Sequence, residues 1–290
     1  MNYKHILFFT LIFTATINAQ ESPVTIREAL MLKAVDYYRN INRMDPVEAR
    51  IVFNKWKAPH EGDEVDLGER NISQWRKVVA DSTGWFNEED LRGGYAYIPI
   101  HSDREKVMIL EGLGYRLAYF NGELRSGNMY GYQENWEPWQ PHFDFCFLPV
   151  LLKPGRNDLL VFGARVPRFK VRIHEPESEI FLNIKDTTLP DLLVGNTIDA
   201  FGAVVVVNAS RKPVKNLQLI ATLEDGKEVR NIVPIIQPLS VRKVGFKFSG
   251  IAPTETGSAS RISHFLMTQK SCGFTKMMET GQLAKRYILS

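Results

Sequence analysis

Cysteine is scarce in this chain: Cys146 and Cys272 are the two in 290 residues. Even in an exported protein two thiols cannot build a disulfide scaffold, so stability has to come from buried apolar cores. Apart from the first residues there is no long apolar run, and that one is too short to cross a bilayer. The sequence also lacks Gly-x-Ser-x-Gly, a phosphate-cradling glycine loop and His-Glu-x-x-His. These absences exclude the nucleophile elbow of an α/β-hydrolase, a P-loop and a zinc-protease helix. Gly112-Leu-Gly114 misses the third glycine of a dinucleotide fingerprint and lies between two strand-like runs. The net charge is +3, but the residues from Ala259 onward contribute +4 and Lys4 one more, leaving residues 20–258 at −2. That mildly acidic body gives no reason to expect nucleic acid. No cofactor is implied.

What is present is globular composition, with 44% hydrophobic, 24% charged and 11% aromatic residues and length for two domains. Lys4 precedes the apolar stretch Ile6–Phe13, and the pattern reads as a secretory signal cut near Ala19, over residues 1–19, which implies a secreted or periplasmic protein. Thr25 and Glu28 have capping-box spacing, and Leu30, Ala34, Tyr37, Tyr38 and Ile41 recur at helical intervals. Asp45, Pro46 and Glu48 then start a second helix whose apolar stripe is Ala49, Val52, Phe53 and Trp56. Residues 20–70 are therefore expected as a helical hairpin plus an acidic linker (Glu61, Asp63, Glu64, Asp66, Glu69), a solvated loop.

From about Trp75 to Ile173 the period changes to two. Gly94–Ile100, Lys106–Glu111, Tyr115–Phe120, Phe143–Leu148, Asp158–Phe162 and Lys170–Ile173 are β-type runs, with Asn121-Gly122 as a tight hairpin and Lys153–Asn157 as a second turn. Many short strands at this spacing predict an antiparallel sandwich over 71–176. A second sandwich, 177–258, is predicted from Ile180–Ile184, Ala203–Val207, Leu217–Leu223, Val229–Ile235 and Val241–Phe248, with Asp225-Gly226 as a hairpin turn and a bulge near Gly245. Beyond Ala259 neither period continues, and an irregular, poorly packed tail is expected over 259–290, as from a truncated or frame-shifted end.

Two stretches carry a resemblance. Val107–Gly127 and Phe147–Val161 resemble the sugar-binding, galactose-binding-like jelly roll of glycoside hydrolase family 2 enzymes. Val204–Phe248 resembles the immunoglobulin-like module that follows such domains. The order resembles the N-terminal accessory region of large secreted bacterial hydrolases, including prolyl oligopeptidase-type serine peptidases. The fold class implied is mainly β: a jelly-roll sandwich plus an immunoglobulin-like sandwich, with a short N-terminal helical hairpin. The function implied is non-catalytic, positioning or docking a hydrolase domain, with glycan as a further partner; the alternative is a free carbohydrate-binding module, and a glycoside- or ester-cleaving enzyme ranks third. Structural calcium is common in the galactose-binding-like class, but no residues here can be assigned to it.

The densest chemical stretch is Tyr130–His142. Tyr130, Tyr132, Trp136 and Trp139 stand beside Gln133 and Glu134, with Arg125 and Asn128 just before. Aromatic faces stack on sugar rings while amide, acid and guanidinium groups bond hydroxyls, so these eight residues form the candidate carbohydrate surface. The competing reading is that the aromatics pack on a core or a partner domain. His101 with Asp103, and His142 with Asp144, have ligand-compatible strand spacing, but each supplies only two ligands. Glu111, Glu123, Glu134 and Glu137 are acids by location only. Sequence does not place any two of them across a glycosidic bond.

Overall fold

The computed structural model describes residues 23–33, 44–68, 71–128, 146–163, 167–190, 192–193, 196–222, 228–251, 260–271, 274–285 and 287–288. The segment predicted as a signal, and Ala34, Tyr37, Tyr38 and Ile41, lie outside them, as does the Asp225-Gly226 turn.

Strands β1 (Val24–Thr25) and β2 (Glu28–Leu32) occupy the described beginning of the first predicted helix. The reason is two-sided burial. Ala29 and Met31 face the main core, while Leu30 and Leu32 face a second cluster on the opposite side of the sheet. A strand covered on both faces shows no alternation and mimics an apolar helical stripe. Among the described residues there is thus no helical hairpin. Its second half is real: α1 (Pro46–Val52) is capped by Asp45, whose Oδ1 accepts from Val47 N at 2.8 Å and Glu48 N at 3.0 Å. The acidic linker is not a plain loop, because β3 (Glu64–Asp66) within it pairs with β4 (Ile72–Gln74) just beyond it and Val65 is buried.

Next come β5 (Arg76–Val79), β6 (Phe86–Asn87), β7 (Tyr95–Ser102), β8 (Lys106–Leu113), β9 (Leu117–Phe120), β10 (Glu123–Ser126), β11 (Leu148–Leu152), β12 (Gly155–Phe162) and β13 (Arg168–His174). They form one sheet in the order β1-β13-β8-β11, with β6 also on β13, and a second in the order β10-β9-β12-β7-β2-β5. Met31, Phe86, Ile98, Leu110, Leu159 and Val171 interdigitate between the two sheets. Between β9 and β10, Asn121 (φ 51°) and Gly122 (φ 82°) make the expected hairpin turn, both at positive φ. α1 and the β3–β4 hairpin cover the outer face of the second sheet, where the Tyr119 hydroxyl donates to Glu48 at 2.8 Å.

The chain continues through β14 (Ile180–Thr188), β15 (Leu192–Leu193), β16 (Thr197–Asn208), β17 (Leu217–Thr222), β18 (Glu228–Ile232) and β19 (Ser240–Ile251) to β20 (Ser260–Ser271), β21 (Phe274–Lys285) and β22 (Tyr287–Ile288). Sheets β14-β16-β19 and β18-β17-β20-β21 contribute to this half, whose core includes Val204, Val206, Leu217, Leu219, Phe246 and Phe248. The expected bulge near Gly245 is absent: β16 and β19 pair in unbroken register from Thr197↔Ile251 to Asn208↔Ser240. Val244, Phe246 and Phe248 point inward and Val241 outward, so the apparent break was one outward valine. The irregular tail is also corrected. Ser260–Ser271 pairs with both β17 and β21, so residues after 259 add two strands to the second sheet. The pairing has register shifts at Ile262/Phe265 and Met267/Thr268, which obscure a simple period in the sequence.

Candidate functional site

Of the eight candidate carbohydrate-contacting residues, two are described. Arg125, on β10, donates from Nη2 to the carbonyl oxygens of Pro149 at 2.8 Å and Leu239 at 2.7 Å, and so ties the first sandwich to the second. Asn128 is 5% exposed and donates from Nδ2 to Gly112 O at 2.7 Å. Both side chains are engaged with backbone. Tyr130, Tyr132, Gln133, Glu134, Trp136 and Trp139 lie outside the described residues, with Glu137, His142 and Asp144. Of the other acids, Glu111 on β8 and Glu123 on β10 stand on different sheets. Among the described residues no group of three or more His, Cys, Asp or Glu side chains could hold a metal ion.

Sequence reasoning missed two features. The first is the joint between the sandwiches. Ile109, with Val107 and Phe147, packs from the outer face of the first sheet onto Phe181, Val205, Val207 and Ala209. At its margin Glu111 is 2% exposed and is bonded by two cationic groups. Arg172 Nε donates to Oε2, and His174 Nε2 lies 3.0 Å from Oε1. His174 Nδ1 in turn lies 2.8 Å from the Glu175 carbonyl oxygen. Carboxylate and carbonyl oxygens only accept, so both ring nitrogens face acceptors and the imidazolium form is favoured. The hydrogen bond with Glu111 raises the His174 pKa, against the opposing effect of burial. The Phe147 ring meets the imidazole edge-on, at 6.3 Å and 89°. Cys146 is beside this group, and burial pushes its thiol up to about 11, which leaves it protonated and unreactive at neutral pH. Arg211 of the second sandwich pairs with Glu105 of the first.

The second feature is a cleft of about 670 Å³ between β2, β7 and the segment Pro59–Glu61. Leu30, Tyr97 and Pro99 supply its apolar surface. Its polar groups include the Glu28–Lys77 pair (2.8 Å), His101 and Arg156. The Tyr97 hydroxyl is directed away to Asp158 Oδ1 at 2.8 Å, which Arg156 Nε approaches at 3.3 Å. The volume falls in the range of small-molecule sites, and apolar surface with a few convergent polar groups is their usual make-up. In the sequence, Tyr97 was an ordinary member of a strand, and His101 stood out only as half of a two-ligand pair with Asp103. Nothing local marked the segment around His60 as their neighbour.

Neither a protein-family model nor a curated protein matches the chain. Among solved structures, this chain is similar to parts of several glycosidases. A calcium-binding mutant of Bacteroides uniformis β-glucuronidase 2 aligns at TM-score 0.38 and 10% identity, covering 92% of this chain and 32% of that one. A glycoside hydrolase family 2 β-galacturonidase of Eisenbergiella tayi aligns at TM-score 0.34 and 9% identity, over 93% and 44% of the two chains. Amycolatopsis orientalis exo-chitosanase aligns at 0.34 and 10%, over 91% and 34%. The chain spans less than half the length of each, and none of these three is a peptidase.

Proposed function

We propose that this chain is a non-catalytic accessory region of a secreted multidomain hydrolase of glycosidase type, a stiff two-sandwich arm that positions or docks a catalytic domain. The observation that carries the reading is the joint. A positioning arm must transmit a fixed geometry, and here the two sandwiches share an apolar contact bordered by the buried Glu111–Arg172–His174 group and by the Arg125 bridge to Leu239 O. Packed interfaces of this kind resist hinge motion because they lack a continuous range of equally good arrangements. The glycosidase assignment rests on the Val107–Gly127 and Phe147–Val161 stretches.

The test is distance measurement between spin labels on Lys57→Cys and Lys212→Cys, with Cys146 and Cys272 replaced by Ser. A single narrow distance supports the arm, and Arg125→Ala should broaden it. A broad distribution in the parent chain refutes it. Purified chain should not hydrolyse nitrophenyl galactoside, glucuronide or glucosaminide. Turnover that survives repurification and is lost on replacing one acidic residue overturns the non-catalytic reading.

The cleft favours a second reading, a carbohydrate-binding module. Under it, galactose or glucuronate should perturb the His101 imidazole resonances in NMR spectra, and His101→Ala together with Lys77→Met should abolish the effect. Without any perturbation at millimolar sugar, this second reading fails.

A further inference from the structure

The cleft beside β7 traces to a proline. β2 and β7 pair from Leu32↔Tyr95 to Leu30↔Tyr97. In that register Glu28 would come opposite Pro99, which has no N–H for the ladder. The pairing with β2 stops there, while β7 runs on to Ser102 against β12. Ala29, Val78, Ile98 and Ile100 face the main core, so Glu28, Leu30, Lys77, Pro99 and His101 emerge on the opposite face, where the cleft opens.

Charge in this cleft is matched. Lys77 stands opposite Leu30, and its Nζ reaches diagonally across the strands to Glu28 Oε2 at 2.8 Å. The Lys77 backbone N–H donates to Glu61 Oε1 at 3.4 Å. Arg156, the cross-strand partner of His101, places Nε 3.3 Å from Asp158 Oδ1. Arg27 donates from Nη1 to the carbonyl oxygens of Asp81 at 2.6 Å and Ser82 at 3.0 Å, and His60 Nδ1 lies 3.5 Å from Asp63 Oδ2. Arg27, Lys77 and Arg156 thus stand against Glu28, Glu61 and Asp158, and neither sign dominates. The hydrogen bond from Lys77 to Glu28, then the charge of Glu28, raise the Lys77 pKa, which keeps the pair ionised at neutral pH.

A ligand that brought a net charge here would leave one charge without a partner in a site partly withdrawn from water. A hydroxyl brings none, and it donates and accepts at once. Lys77 Nζ keeps donors, and the Glu28 carboxylate keeps lone pairs, beyond the bond they share, so neighbouring hydroxyls can bridge the pair without breaking it. Leu30, Pro59 and Pro99 supply the apolar surface for the C–H groups of a ring, since Tyr97 is 2% exposed and offers no face for stacking. Resting on the carbohydrate-binding reading above, we infer that the cleft takes an uncharged saccharide, and that the Glu28–Lys77 pair selects against acidic and amino sugars.

The experiment titrates the full chain, at neutral pH and 50 mM NaCl, with galactose, galacturonate and galactosamine and with glucose, glucuronate and glucosamine. The His101 imidazole resonances, followed by NMR, report binding in the cleft. A neutral sugar should bind in the millimolar range and its acidic and amino counterparts at least about threefold more weakly, a modest ratio because the pair is about half exposed. Glu28→Gln leaves Lys77 unmatched and should raise the affinity for the uronate, relative to the neutral sugar, at least about threefold. Lys77→Met leaves Glu28 unmatched and should do the same for the amino sugar. Both side chains are exposed, so an unchanged circular dichroism spectrum is expected, and where one variant fails to fold the other carries the test. Ratios below about threefold in the parent chain, or a ratio that a folded variant leaves unmoved, overturn the charge selectivity while the carbohydrate-binding reading stands. No perturbation of His101 by any of the six sugars at millimolar concentration overturns both.

Discussion

Two buried asparagines illustrate how much a single side chain organises in this chain. Asn157 is 0% exposed; its Oδ1 accepts from Asn121 Nδ2 at 3.0 Å and Lys153 N at 2.8 Å, and its Nδ2 donates to Lys153 O at 2.9 Å. It links the Lys153–Asn157 turn to the Asn121-Gly122 hairpin. Asn208, also 0% exposed, does the same in the second sandwich through Lys212 O, Gln237 O and Ser210. Asn157→Ala leaves buried backbone groups unpaired and should cost about 2–3 kcal/mol, lowering the first calorimetric transition by roughly 5–10 °C. Among glycines, Gly122→Ala meets no atom within 4 Å but is strained by φ +82°, so about 1 kcal/mol is expected. At Gly127 a Cβ would lie 2.1 Å from Arg116 O, a backbone atom that cannot move freely. Gly127→Ala should therefore destabilise by well over 2 kcal/mol in denaturant titration. Equal effects at the two glycines would contradict this distinction.

At the level of elements, the decisive case is the pair of strands after residue 259. β20 is hydrogen-bonded to β17 from Leu217↔Gln269 to Thr222↔His264, and Leu217, Leu219 and Ala221 are in the core of the second sandwich. A chain ending at residue 258 leaves that side of β17 unpaired. It should lose several degrees of melting temperature in the second sandwich, and gain amide exchange in β17, while the first sandwich is unaffected. Hydrogen exchange resolved by residue, on the full and shortened chains, measures both effects at once. An unchanged melting temperature would show that the hairpin adds nothing to the second core.

For the molecule as a whole, the joint couples stability to pH. In the folded chain the His174 pKa is raised, chiefly by its hydrogen bond with Glu111. Groups of this kind contribute stability in full below the ordinary imidazole value of 6.5, and lose it as pH rises through the elevated folded value. Stability against urea should therefore decline as pH is raised from below 6.5 through the folded pKa of His174, and His174→Gln should flatten that part of the profile. Glu111→Gln should bring the His174 titration, followed by NMR, back down. An unchanged His174 titration in that variant would falsify the assignment of Glu111 as the cause.

What the sequence determined by itself are the features written within a few neighbouring residues. Asp45 and Pro46 specify where α1 starts, Asn121-Gly122 specifies a turn that needs positive φ, and Phe169, Val171 and Ile173 specify which face of β13 is inside. Each depends on local backbone preference or on one dry face opposite a wet one. Only the tertiary structure decided the rest. Glu28–Leu32 is a strand because both of its faces are covered, which removes the alternation that marks a strand. Arg125 became a bridge because Leu239, 114 residues away, brings it a carbonyl oxygen. Ser260–Ser271 acquired a place by pairing with Leu217–Thr222, and such a long-range ladder with two register shifts leaves no period to read. These outcomes depend on what covers or pairs with a segment, and that is set by elements remote in the chain.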